Sequence, residues 1–266
     1  MTSGADHPLD VRAHNESAWD KQVDWENPWT IPVTTEAVER ARRGDWEIVL
    51  APTRPVPRTW FGDLPGLEVL GLASGGGQQG PILAAAGACV TILDNSQKQL
   101  RQDATVVDRD GLHIRTVHGS MTDLSAFADE SFDLVVNPVS VVFVHDVRRV
   151  WHEVARVLRP GGALIAGFGS PAKFIFDALT YEREGRLELK HFLPYSEAEL
   201  FTEEEHRKLA EEGEALLFSH TLETLIGGQL DAGLTLCGFY EDGYGNEDLL
   251  SRHMPTFIAT RAVKAL

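Results

Sequence analysis

Between Glu68 and Asp94 the chain runs an apolar stretch, a glycine loop, a small-residue stretch, a second apolar stretch and a terminal acid, and few folds accept that order. Val69 to Leu72 are β-prone, and Gly75, Gly76 and Gly77 remove every Cβ where a ligand's polar edge could approach the backbone. Pro81 suits a helix's first turn, Ala84, Ala85 and Ala86 let that helix lie close to a sheet, and Gly87 can end it. Ala88 to Leu93 then form a second strand that closes on Asp94. A carboxylate there, about twenty residues past the loop, is where nucleoside-binding α/β folds hydrogen-bond a ribose. The plainer alternative is a glycine-rich turn that binds nothing. Gly75, Gly77 and Gly80 also spell the dinucleotide fingerprint G-x-G-x-x-G, so an NAD-dependent oxidoreductase is a rival that only the downstream chain decides.

Beyond Asp94, Ser96 is placed to cap a polar helix that Gly111 follows. His113 to His118 alternates as a strand, with Ile114 inward and Arg115 outward. Gly119 to Ser125 is a turn of small polar groups. Ser131 to Asn137 is a buried strand broken at Pro138, which leaves Asn137 at its C-terminal end. Asp146 can cap a helix whose Val147, Val150, Trp151, Val154 and Leu158 share one face, and Arg159-Pro160-Gly161-Gly162 stops it. Ala163 to Phe168 is a further buried strand. Strand and helix thus alternate from Val69 to Phe168, which predicts an α/β fold with a doubly wound, mostly parallel sheet. Thr235 to Glu241 and Phe257 to Val263 are expected as an antiparallel pair at the sheet's edge.

The flanks are less regular. Residues 1–14 are polar, without period, and expected to be disordered. Trp19, Trp25 and Trp29 then crowd together, ahead of a capped helix from Thr34 to Gly44, and they either pack on the domain's flank or form a lid. Pro52, Pro55 and Pro57 read as a stiff, extended connector, and the core is expected to begin near Leu67. After Pro171 regularity fades for about fifty residues, longer than an ordinary connection, which points to a functional insertion over 171–218. Thr202 and Glu205 fit a capping box there, and Ser219 to Leu234 starts as a helix and ends in a glycine turn.

At 266 residues, 43% hydrophobic and 24% charged, the chain can bury a core as one domain over 1–266. A formal net charge of −16 without any Lys/Arg cluster argues against nucleic-acid partners. Cys89 and Cys237 sit in apolar runs and are expected as buried thiols in a reducing, cytoplasmic setting. Neither a leader-like apolar run nor a segment of membrane-spanning length is visible, so no membrane partner is expected.

The order of motifs resembles the class I S-adenosylmethionine-dependent methyltransferases. The likeness covers Leu67 to Phe168 well and rests on the Val69 to Gly77 loop, Asp94, the run Asp129 to Val136, and the run Ala155 to Gly162. It implies a Rossmann-like sheet with S-adenosyl-L-methionine as cofactor. By that resemblance Ala73 and Gly75 contact the methionine part, Asp94 holds the ribose hydroxyls, and Ser120 and Met121 flank adenine. Gly71, Ser74 and Gln79 around the loop, Asn95 after the acid and Asn137 complete the candidate set, with Trp19 and Trp29 in an N-terminal helical lid over 1–60. The chain departs from the family at three of these places. Gly71 stands where an acid is usual, Ala73 where glycine is usual, and Ser120 where aspartate is frequent, which motivates a non-catalytic S-adenosylmethionine-binding protein as an alternative.

A sulfonium methyl is already activated, so alignment with an acceptor in a dry pocket can supply much of the rate. Val142 and Phe143 replace the family's common histidine pair and make that wall apolar. His145 and His220 are the candidate bases, with His253 a third, if the acceptor needs one. No metal is expected, because no carboxylates cluster as a Mg²⁺ site requires. The expected activity is methyl transfer to a small-molecule substrate, and neither charge nor any tail motif speaks for an RNA or protein acceptor.

Overall fold

Near-continuous burial, rather than alternation, marks the strands at the centre of this molecule, as a sheet covered on both faces requires. The computed structural model describes residues 9–266; the first eight residues of the stretch expected to be disordered lie outside the described residues. In chain order the elements are α1 (Val11–Asp24), α2 (Thr35–Arg42), β1 (Glu68–Leu72), α3 (Gln79–Ala85), β2 (Cys89–Asp94), α4 (Gln97–Asp110), β3 (Ile114–His118), β4 (Phe132–Asn137), α5 (Val147–Val157) and β5 (Leu158–Gly169). Then follow α6 (Ala178–Glu184), β6 (Tyr195–Ser196), α7 (Glu197–Leu200), α8 (Glu203–Glu211), β7 (Phe218–Ser219), α9 (Gly228–Asp231), β8 (Leu234–Asp242) and β9 (Phe257–Lys264).

The seven-stranded sheet has the order β3-β2-β1-β4-β5-β9-β8. Strands β1 to β5 are parallel, and β9 runs antiparallel between β5 and β8, so the doubly wound sheet and its antiparallel edge pair are as expected. Strand order reverses between β1 and β4, which opens a crevice at their C-terminal ends. On one face Leu70, Leu72 and Val135 pack with Trp151 and Val154 of α5; on the other Val69, Leu134 and Val136 pack with Ile82 and Leu83 of α3. Thr34, Ser96, Asp146 and Thr202 each accept a hydrogen bond from the backbone N–H three residues on, so all four caps fall where the sequence puts them.

Several expectations for the flanks are corrected. Residues 11–14 are helical, because Asp10 caps α1 by accepting from Ala13 N–H. The core begins well before Leu67: Ala41, Trp46, Ile48, Leu50, Val56, Phe61 and Leu64 are buried with the α3 face of the sheet. The proline segment is not an extended connector, since Val49 pairs with Pro55 and Val56 N–H donates to the Ile48 carbonyl, folding it back on itself. Cys89 and Cys237 are exposed, not buried: Cys89 opens β2 at its exposed end, and Cys237 sits at an irregularity in the pairing of edge strand β8. The Ser219 to Leu234 segment widens into a π-turn over Glu223–Gly227 before α9, and Gly228 lies where a Cβ would meet the Trp151 ring at 2.9 Å. Its glycine serves close packing on α5.

Candidate active site

The crevice is built first from backbone. Ala73, just past β1, holds a left-handed φ of +48°, and its N–H donates to the Leu93 carbonyl at 2.8 Å. Gly75 N–H donates to Asp94 Oδ2 and Ser96 N–H to Asp94 Oδ1, each at 2.9 Å. Each carboxylate oxygen therefore has accepting capacity left, and Asp94 lines a cavity of about 760 Å³. That geometry suits two vicinal hydroxyls. Glycine is required at 75, where a Cβ would sit 2.7 Å from Gln99 Cβ and 3.0 Å from Asp94 Oδ2. Burial pushes the Asp94 carboxyl above its ordinary pKa, against the lowering effect of the N–H groups of Ser96, Gly75 and Asn95. Beneath the loop, Gln99 Oε1 and both oxygens of Asp103 are buried with no hydrogen-bond partner of good geometry among the described residues, and burial pushes Asp103 well above the carboxylate range, against the lowering effect of the Gly77 and Gly76 N–H groups.

Side chains from the N-terminal arm close the crevice. Asn15, almost fully buried, donates to the carbonyls of Phe143 (3.0 Å) and Leu216 (3.2 Å) and accepts from Leu216 N–H (2.7 Å). Trp19 meets Phe143 edge to face at 5.2 Å. Asp20 accepts from Ser96 Oγ at 2.6 Å, and Arg12 and Asn95 exchange two bonds, Nε to Oδ1 at 3.0 Å and Nδ2 to the Arg12 carbonyl at 2.9 Å. Farther along, Gln78 donates to the carbonyls of Pro28 and Ile31, and Val33 N–H to the Gly77 carbonyl, so the Trp29 segment lies on the glycine loop.

Of the candidate residues, Ala73, Ser74, Gly75, Gln79, Asp94, Asn95, Ser120, Met121, Trp19, Trp29 and His145 line this cavity. Gly71, Asn137 and His220 do not. A Cβ on Gly71 would lie 2.4 Å from Ile92 Cδ1, so this glycine makes room for packing below the loop rather than for a ligand. Asn137 is fully buried and donates to the Leu72 carbonyl (2.7 Å) and Ser140 Oγ (2.8 Å), bracing the ends of β1 and β4. His220 is buried with Nε2 3.2 Å from the Val141 carbonyl oxygen, and burial lowers its pKa. His253 is exposed and lies off the cavity. His145 stands at the rim, largely exposed, its Nε2 3.5 Å from Glu199 Oε1.

Sequence reasoning missed Arg12, Asn15, Gln99, Ser140, Tyr244 and Phe257, all on the cavity wall. Gln99 was within reach, since a polar residue three past the Ser96 cap faces back over the helix N-terminus. The others meet only through tertiary structure, Asn15 across 201 residues from Leu216.

A glycine loop over a strand-ending acid, at the switch point of this sheet, defines a class I methyltransferase fold and site, and comparison with known proteins agrees. Residues 70–166 match the family model described as a methyltransferase domain. The uncharacterized methyltransferase YbaJ of Bacillus subtilis is 52% identical over 252 residues, covering 95% of this chain and 98% of that protein. The chain belongs to the class I S-adenosylmethionine-dependent methyltransferases. Demethylmenaquinone methyltransferase of Corynebacterium glutamicum is 38% identical over 124 residues, covering 46% of this chain and 51% of the relative. The fold is shared with 1,6-didemethyltoxoflavin-N1-methyltransferase of Burkholderia thailandensis, at 14% identity and a TM-score of 0.58 over 100% of this chain and 94% of that one.

Proposed function

We propose that the protein transfers the methyl group of S-adenosylmethionine to a small-molecule acceptor, chiefly by aligning the two in a largely apolar site that the N-terminal arm partly covers. The observation that carries this reading is the partial roof: α1 is bonded through Asn15 to both Phe143 and Leu216, so the arm covers part of the cavity over Asp94. A macromolecular acceptor would need an open approach, and a formal net charge of −16 disfavours a nucleic acid. The partial relative that acts on demethylmenaquinone and the structural neighbour that acts on 1,6-didemethyltoxoflavin support the same acceptor class.

When bound, the cofactor supplies a methyl group activated on a sulfonium. Asp94 holds the ribose hydroxyls with the acceptor capacity its two oxygens retain, the Ala73 to Gly75 backbone borders the methionine part, and Ser120 and Met121 flank the base. Asn137 acts as a positioning residue by fixing Ser140, and Trp19 and Trp29 exclude water. Among the described residues no histidine is buried against the cavity, which supports a mechanism without an obligatory base. His145 is the exception to test, because it lines the rim. The arm, the 67–168 core, the 171–218 cap and the C-terminal strands act as one domain. Exposed free thiols at Cys89 and Cys237 fit a reducing cytoplasm.

Calorimetry tests the cofactor assignment. S-adenosylhomocysteine should bind the wild type, and Asp94→Ala should weaken binding roughly ten- to a hundred-fold, the value of hydrogen bonds to a charged acceptor. Unchanged affinity in Asp94→Ala would remove Asp94 from the site, and tighter binding of NAD would favour an oxidoreductase.

A further inference from the structure

A second cavity, of about 280 Å³, lies beside the first and shares Tyr244 and Phe257 with its wall. Its other walls come from the 171–218 insertion and from residues just before β9. Two features set its chemistry. The wall is rich in aromatic rings, with Phe174 and Tyr195 stacked at a tilt 5.9 Å apart and Tyr244 edge-on to Phe257 at 5.6 Å. It also holds Lys173, whose Nζ lies 4.6 Å from the Phe257 ring centre, and burial lowers its pKa.

The carboxylates of this cavity are already engaged. Asp177 pairs with Lys190 and caps α6 by accepting from Thr180 N–H at 2.6 Å. Asp248 accepts from Tyr181 Oη and from Ser251, by Oγ at 2.5 Å and backbone N–H at 2.8 Å. Glu197 accepts from Tyr195 Oη at 3.1 Å and from Leu217 N–H at 2.8 Å, and burial pushes it toward its protonated form. Lys173 differs: among the described residues no carboxylate oxygen comes within 4.0 Å of its Nζ, and its only close partners are ring faces. Asp248 lies near enough to favour its charge but forms no ion pair with it, so the largely buried ammonium keeps unmet donors, and ring faces recover only part of the cost of burying it.

We propose that this second cavity is the acceptor site and takes a planar aromatic molecule carrying an anionic oxygen, a carboxylate or an acidic hydroxyl, which Lys173 binds. The proposal rests on the small-molecule reading above and gives it a substrate class. Aromatic walls stack the ring, Lys173 anchors one end, and the shared Tyr244 and Phe257 wall brings the other end toward the cofactor cavity. Lys173 is a specificity residue here rather than a catalytic one.

Ligand-observed NMR on the full-length protein tests it without needing turnover, with 2-naphthoate, 2-naphthylmethylamine and cyclohexanecarboxylate as probes. Naphthoate should bind roughly tenfold or more tightly than either the aromatic cation or the aliphatic anion. Lys173→Met should lose that preference and Lys173→Arg should keep it, both with unchanged affinity for S-adenosylhomocysteine, and Lys173→Met should melt no lower than the wild type. Naphthoate binding that is indifferent to Lys173→Met, or tighter binding of the amine, would overturn the proposal. Failure of S-adenosylhomocysteine to bind any of these samples would instead strike the cofactor reading.

Discussion

The two sides of the site are made of different material. On the cofactor side, Asp94 is held by backbone N–H groups of Gly75 and Ser96, and the loop closes through Ala73 N–H to the Leu93 carbonyl. On the proposed acceptor side and in the arm, side chains do the holding: Asn15 to Phe143 and Leu216, Asp248 to Tyr181 and Ser251, Lys173 against Phe257. Backbone geometry serves any member that binds the same nucleoside, whereas side chains can be exchanged singly to suit another acceptor.

Removing the roof should produce the largest effect. Deleting residues 9–25 takes away Asn15 and Trp19 while leaving the buried residues from Val38 onward, so the sheet should stay folded by circular dichroism. Turnover should fall about a hundred-fold, as misplacement and admitted water predict. Full activity would show that the arm only decorates the flank. Extending the deletion to residue 64 should abolish folding, since Ile48, Leu50, Val56 and Phe61 belong to the core.

A medium effect should come from His220, a side-chain tie beneath the cavity. Burial depresses its folded pKa, so its contribution to stability is present above its unfolded pKa, near 6.5, and is lost as pH falls through that value toward the folded one. Thermal melts from pH 8 to 5 should show His220→Gln losing less stability on acidification than the wild type. Its turnover per folded molecule should drop far less than the roughly 10² to 10⁴ of a lost general base. A thousand-fold drop with intact cofactor affinity would make His220 a catalyst acting through an altered conformation. His145→Ala, at the rim, is expected to be equally tolerant.

The smallest effect tests the backbone side. Ala73 sits at φ +48°, where an L-residue costs roughly 1–2 kcal/mol, partly offset by the roughly 0.5–1 kcal/mol of chain entropy that glycine gives up on folding. Ala73→Gly should therefore raise stability by about 1 kcal/mol or less in denaturant titration, with cofactor affinity unchanged. Destabilisation would mean that the Ala73 methyl packs in a way that outweighs its strain.

The same division explains what could be read from the sequence. The succession of strands and helices and the four caps were legible because each is set by local periodicity, and Asp94 and the glycine loop stood out as candidates because they lie within one βαβ unit. Ala73 was flagged as a departure by resemblance, and its positive φ shows why glycine is usual there. Gly71 lies off the cavity, because a missing Cβ can admit either a ligand or a neighbour and here Ile92 takes the space. Residues 38–64 were read as lid and connector because their apolar positions are broken by prolines, although tertiary packing buries them. Asn15, Lys173 and Tyr244 carry no local signature; their roles exist only once distant segments meet.

Methyl transfer itself is the central claim, and one measurement addresses it directly. The protein would be incubated with S-adenosylmethionine labelled in the methyl group and an extract of bacterial metabolites, with Asp94→Ala as control, and the label followed by size and then by charge. The account predicts label in the low-molecular-mass fraction, in aromatic acids or their methylated products, and little with Asp94→Ala. Label in protein or RNA, or a wild type that binds the cofactor but transfers nothing to any fraction, would contradict it.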